Sequence, residues 1–235
     1  ALLLASIGLG GMSVDPRSDI LGVVLAGGRS RRYGSDKAFA ELGGVSLVHR
    51  AAQTLGPLAD RVVVVANDLD RHSLEQHPVR PDLVSGIGPL GGLHTAVAWA
   101  AEEGLRAAVV LATDMPFVPT SLLEDLVNRL ERGTAVVPAS HGHRGFEPLC
   151  AAYDVGCLPA IEEAIKKGDR AVISFFPAVD LRIVELARVS THGDPDTMFF
   201  NLNRPEDHLR ADALLAALLA AGPDPESDTG VSEGE

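Results

Sequence analysis

The chain is short of cysteine, short of basic residues and without a long apolar run. Cys150 and Cys157 are the only cysteines among 235 residues, which excludes a disulfide scaffold and a zinc set built from thiolates. Two reduced, mostly buried thiols are expected instead. The 20 Lys+Arg stand against 32 Asp+Glu, a formal net charge of −12. That balance offers no basic surface for a nucleic-acid backbone. No apolar run approaches the ~18 residues that a membrane span needs. The apolar stretch 1–11 lacks the basic start and cleavage site of a secretory signal. The chain therefore reads as cytoplasmic, with neither nucleic acid nor membrane among its partners. There is no internal repeat, no central linker, and no Ser/His/Asp order above chance.

What is present suits one folded domain: 46% hydrophobic and 22% charged residues. Residues 1–19 are expected to form a flexible N-terminal extension, 20–221 a single domain and 222–235 a disordered acidic tail. That tail carries five acids and no base. Buried, strand-like runs at Gly22–Ala26, Arg61–Ala66 and Ala107–Ala112 alternate with helix-like segments at Ser46–Leu55, Leu90–Glu103 and Pro119–Glu131. Continuous Val/Leu/Ala runs between helices predict a doubly wound, mostly parallel α/β sheet covered on both faces. The second half is mixed and partly antiparallel. Thr134–Pro138 and Glu147–Tyr153 read as neighbouring strands, Leu158–Lys167 as a helix, Val179–Ala187 as a half-exposed strand and Pro205–Ala221 as a closing helix.

The loop after the first strand, Leu25-Ala26-Gly27-Gly28-Arg29-Ser30-Arg31-Arg32-Tyr33-Gly34-Ser35-Asp36-Lys37, is the most informative stretch. Two glycines at a strand end let the backbone bend and turn its N–H groups toward a ligand. Three arginines and a lysine then concentrate positive charge in an acidic chain, which points to a polyphosphate. The loop is not a Walker A motif, because GxxxxGK(S/T) is missing. A second glycine cluster, Gly86-Ile87-Gly88-Pro89-Leu90-Gly91, matches GxGxxG formally. It does not open the first βα unit, and Pro89 interrupts it, so a dehydrogenase fingerprint is rejected. It reads better as a loop whose free N–H groups, Gly88 among them, meet a ligand at a helix start.

Asp114 follows the third buried run and so lies at the ligand-binding edge of the sheet. A carboxylate there suits Mg²⁺ bridging phosphate oxygens; a turn or helix cap before Pro116 is the plainer alternative. Asn67 ends the second run and is also an ordinary turn residue. Asn201 and Asn203 alternate with apolar neighbours and would share one face of an extended segment. The plainer alternative is that they cap the helix that starts at Pro205, a place that suits Asn203 in either case. His141 and His143 flank Gly142 in a polar loop where solvation is favoured over metal binding, while Arg144 of that loop suits an anionic substrate.

LAGGRSRRYGSDK resembles the signature loop of sugar- and cofactor-type nucleotidyltransferases, and PDLVSGIGPLGGLHTAVAW resembles an element of the molybdenum cofactor guanylyltransferases. TDMPFVPTSLLEDL, EPLCAAY and FNLNRPED are similar to further elements of that family in the same order, with Thr113 where Cys is common. The resemblance spans about residues 20–210. It implies a Rossmann-like nucleotidyltransferase fold and transfer of GMP from Mg·GTP to the terminal phosphate of molybdopterin cofactor, with release of pyrophosphate. It implies that Leu25, Ala26, Gly27, Gly28, Lys37, Asn67, Asp82, Gly88 and Asp114 bind nucleotide, that Arg32 and Lys37 neutralise the leaving pyrophosphate, that Asp114 holds Mg²⁺, and that Asn201 and Asn203 stand on the substrate and phosphate side, near the metal. Asp82 would contact the base or ribose, or merely cap a turn. Glu147 would satisfy backbone or arginine partners rather than do chemistry. Protein partners would be cofactor-biosynthesis proteins or molybdoenzyme chaperones. A sister cytidylyltransferase with another phosphorylated acceptor, or a nucleotide binder without turnover, is the alternative.

Overall fold

The computed structural model describes residues 17–27, 40–67 and 77–221. In chain order they form β1 (Arg17–Leu25), a small hairpin of β2 (Glu41–Leu42) and β3 (Val45–Ser46), α1 (Leu47–Leu55), β4 (Ala59–Val65), β5 (Val79–Arg80), α2 (Pro89–Glu102), β6 (Ala107–Ala112), α3 (Thr120–Asn128), β7 (Thr134–Pro138), β8 (Cys150–Asp154), α4 (Leu158–Lys166), β9 (Asp180–Val184), α5 (Leu186–Val189), α6 (Pro195–Met198) and α7 (Pro205–Ala221). Seven strands make one sheet in the order β5-β4-β1-β6-β8-β7-β9. Only β8 runs against the rest. Its connection from β7 carries no helix, so the two strands pair antiparallel, whereas each parallel neighbour is reached through a longer crossover.

The core strands are buried on both faces, as their continuous apolar runs require. Every residue of β6 and of β7 is buried. α2 is nearly as apolar: Leu90, Gly91 and Leu93 through Ala100 are all buried. α1 lies so close to the sheet that a Cβ on Gly22 would come within 3.1 Å of Val62 and 3.4 Å of Leu55. A second, smaller cluster of Leu42, Leu47, Leu202 and Ala211 ties the β2–β3 hairpin to α7 and to the segment before it. No helix among the described residues is long and apolar enough to cross a membrane.

β6, β7 and α7 occupy the spans expected from the sequence, and the other long elements agree within a few residues. β1 starts at Arg17, so residues 17–19 belong to the sheet and not to an extension. Arg17 N–H donates to the Leu58 carbonyl (3.1 Å), and Arg106 donates to Asp19 through both its backbone (2.8 Å) and its side chain (3.0 Å). β8 begins at Cys150 rather than Glu147, because the chain is still turning there: Cys150 N–H donates back to the Glu147 carbonyl (3.2 Å). Residues 1–16 and 222–235 lie outside the described residues.

Candidate active site

Parallel strands bring distant sequence to one edge. Ala26 N–H donates to the Val65 carbonyl (2.9 Å), Thr113 N–H to the Leu25 carbonyl (3.2 Å) and Ala66 N–H to the Arg80 carbonyl (2.9 Å). Leu25, Ala26 and Gly27, then Asn67, Asp82 and Asp114, therefore leave the sheet side by side beyond the carboxyl ends of β1, β4, β5 and β6. That is where open α/β sheets bind ligands. Among the described residues nothing approaches a Cβ built on Gly27 within 4 Å. Gly28, Arg32 and Lys37 lie outside the described residues.

Asn67 and Asp82 form a reciprocal pair. Asn67 Nδ2 donates to Asp82 Oδ2 (2.8 Å), and Asp82 N–H donates to Asn67 Oδ1 (3.0 Å). The Asp82 carboxylate lies against the start of α2. A Cβ on Gly91 would stand 3.3 Å from Asp82 Oδ2 and 2.9 Å from the Val84 carbonyl oxygen; one on Gly92 would stand 3.7 Å from Asp82 Oδ1. Only glycine at 91 permits that approach without displacement. Gly86 (φ 80°) and Gly88 (φ 72°) occupy the left-handed region. No side chain caps α2, and Pro89 fills its first position, leaving its N-terminal N–H groups facing the loop. Thr95, which sequence reasoning passed over, fastens this loop to the helix. Its hydroxyl donates to the Gly91 carbonyl (2.9 Å) and accepts from Leu83 N–H (2.9 Å). Its only signal in the sequence is a hydroxyl in an otherwise apolar helix, four residues after Gly91.

On the other side of the edge, the Asp114 carbonyl accepts from Leu202 N–H (2.9 Å). That bond draws the Asn201–Asn203 segment to the end of β6. Leu202 is buried between the two asparagines. Asn201 Nδ2 donates to the Phe199 carbonyl (3.0 Å). Asp207 closes the start of α7 by accepting from both Asn203 N–H and Arg204 N–H (2.7 Å each). Burial pushes the Glu147 carboxyl up, and the Asp114 charge pushes the same way, while a 2.8 Å hydrogen bond from Ser140 and the charge of Arg144 oppose them. His141 Nδ1 stands 2.9 Å from Asp196 Oδ1, which ties this loop to α6.

Both cysteines are free and buried. Burial raises both thiols, Cys157 to about 12, so neither is a nucleophile at neutral pH. Among the described residues no three His, Cys, Asp or Glu side chains cluster as a self-sufficient metal cage. Mg²⁺ does not demand one, since one or two carboxylates complete its shell together with phosphates and water. Asp114, just past the end of β6, fits such a role.

Gly27, an Asn–Asp pair and a carboxylate thus meet on the edge of a mixed α/β sheet where such sheets bind ligands. The model of the MobA-like NTP transferase domain matches residues 22–182, and the chain belongs to that family. It is 38% identical over 203 residues to the molybdenum cofactor guanylyltransferase of Rhodobacter capsulatus, covering 83% of this chain and 96% of that one. It is 36% identical over 191 residues to a probable molybdenum cofactor guanylyltransferase of Pelotomaculum thermopropionicum, covering 81% and 90%. Among solved structures it is similar to molybdopterin-guanine dinucleotide biosynthesis protein A of Archaeoglobus fulgidus, with a TM-score of 0.69, 26% identity and coverage of 84% and 99%. A cytidylyltransferase from Thermus thermophilus at 19% identity (TM-score 0.59, covering 83% and 98%) shares the fold.

Proposed function

We propose that the protein is a guanylyltransferase that moves GMP from GTP to the terminal phosphate of molybdenum-bound molybdopterin. An oxygen of the acceptor phosphate attacks the α-phosphorus, the bond from that phosphorus to the bridging oxygen of the β-phosphate breaks, and pyrophosphate leaves. The attacking group is already anionic, so no protein nucleophile or general base is required. The work left to the protein is positioning and neutralising charge. Gly27, Gly28 and Gly88 offer backbone N–H groups, Arg32 and Lys37 hold the triphosphate, and Asp82, fixed by Asn67, meets the guanosine. Asp114 is the residue that would hold Mg²⁺, which when bound screens the phosphate oxygens from one another. Asn201 and Asn203 face the acceptor. The reaction belongs in the cytoplasm, and proteins that make or deliver the cofactor are the expected partners.

The observation that carries this reading is the meeting of Gly27, the Asn67–Asp82 pair and Asp114 at one sheet edge in a chain of this family. Thermal-shift titration with GTP, CTP, ATP and UTP in the presence of Mg²⁺ tests it. GTP is expected to give the largest stabilisation, and a preference for CTP refutes the base assignment. Asp114→Ala should abolish Mg-dependent turnover while leaving the melting temperature without ligand nearly unchanged. Turnover near the wild-type rate removes Asp114 from the metal site.

A further inference from the structure

Resting on the guanylyltransferase reading, the structure points to a further specificity element: we propose that the turn 140–145 walls the acceptor side of the site, and that Arg144 in that turn binds the anionic phosphate of the acceptor. The nucleotide-side groups occupy the β5–β4–β1 half of the sheet edge. Asp114 stands at the end of β6, so the attacking phosphate must come from the half formed by β6, β8 and β7. The strand register fixes what lies there. Cys150 at the start of β8 is opposite Leu111 near the end of β6, and β7 pairs beside β8 with its end, Pro138, on the same side. The chain from 139 to 149 therefore emerges at the edge that carries Asp114.

The turn is held in shape by its own bonds. Ser140 N–H donates to the Gly145 carbonyl (2.9 Å), Gly145 N–H to the Gly142 carbonyl (2.8 Å) and Glu147 N–H to the Pro138 carbonyl (3.0 Å). The Ser140 hydroxyl donates to Glu147 Oε1 (2.8 Å) and accepts from Gly142 N–H (3.2 Å). His141 pins it to Asp196 of α6, which leads directly into the Asn201–Asn203 segment. Arg144 is exposed, and no hydrogen bond or ion pair engages it among the described residues. Arg144 lies within the stretch 139–149 that leaves the sheet at the edge carrying Asp114. A hydrogen-bonded turn that presents an exposed guanidinium at the edge carrying Asp114 suits a phosphate monoester, which a guanidinium meets with two parallel hydrogen bonds. Arg144 transfers no proton; it places the acceptor oxygen for attack.

The test uses the full chain with Mg·GTP and molybdenum-bound molybdopterin as probes. Arg144→Ala should raise the KM for the acceptor at least about tenfold, the usual cost of losing hydrogen bonds to a charged group. The KM for GTP and the Mg·GTP thermal shift should stay within about twofold of wild type, and Arg144→Lys should recover part of the loss. Calorimetric titration of the acceptor without GTP should show the same weakening. Equal acceptor affinity in wild type and Arg144→Ala, or a loss shared equally by GTP, overturns the assignment. The titration decides the role of Arg144 whatever the nucleotide does. The Mg·GTP response tests the guanylyltransferase reading separately.

Discussion

Asn67 and Asp82 follow different strands, and each spends polar atoms on the other. An isolated Asp82 carboxylate at the mouth of a loop would sample several rotamers. With one oxygen held by an amide N–H and the other against Gly92, it points one way. We propose that Asn67 acts mainly through Asp82, a pairing that its place at a strand end did not disclose. Asn67→Ala removes two hydrogen bonds from a partly exposed pair, worth on the order of 1 kcal/mol in total. The expected result is a KM for GTP raised about fivefold with kcat within about twofold of wild type, because the α-phosphorus is untouched. Asp82→Ala should cost more, and the double variant little beyond Asp82→Ala alone. Steady-state kinetics on the three variants checks this. Additive losses would mean that Asn67 has its own contact with the nucleotide.

Among the elements, α3 and the short α5 that follows β9 are joined through one carboxylate. Asp125 accepts from Arg188 (2.9 and 3.2 Å) and from Arg129 (3.1 Å), with His192 Nε2 at 3.4 Å. Burial alone would raise its pKa, but the hydrogen bonds from Arg188 and Arg129 outweigh it and hold the group at about 2. A depressed carboxylate pKa stabilises the fold above the unfolded value near 4. That stabilisation is lost as pH falls from about 4 toward 2. Asp125→Asn should therefore cost on the order of 2 kcal/mol at pH 7 and much less at pH 2.5. Urea denaturation of both proteins at the two pH values is the check, and a cost independent of pH would refute the ionic origin. Legibility in the sequence follows element length. The six-residue β6 shows its bounds as an unbroken apolar run, and the 17-residue α7 as an Ala/Leu-rich stretch that opens on Pro205 with acids in its first turn. The two-residue strands β2, β3 and β5 are too short to show a period, and the Arg17–Asp19 start of β1 is polar because that end of the strand is only partly covered. The insertion of β8 between β6 and β7 is a pairing choice, and no local pattern encodes it. Asp114 was readable because a strand end announces itself. The Asn67–Asp82 bond and the brace by Thr95 were not, because each depends on two segments meeting.

For the molecule as a whole, a net charge of −12 stands against a substrate that is itself a polyanion. At ~0.15 M salt the screening length is about 8 Å, so charges well removed from the sheet edge hardly act on a bound triphosphate. The five acids of residues 222–235 follow α7, while the site depends on what lies within a few ångströms of Gly27 and Asp114. A chain ending at Ala221 should accordingly keep its KM for GTP within about twofold at ~0.15 M salt. At ~0.01 M salt, where the screening length reaches about 30 Å, the shortened chain should bind GTP more tightly than the full one, because a repulsive field has been removed. Lys37→Ala, by contrast, removes one charge inside the glycine loop and should cost at least about tenfold in kcat/KM at either salt concentration. Measuring both variants at both concentrations separates field from contact. A salt-independent effect of the truncation would place part of the 222–235 segment in the site, and a Lys37→Ala loss that vanished at ~0.15 M would remove Lys37 from direct contact with phosphate.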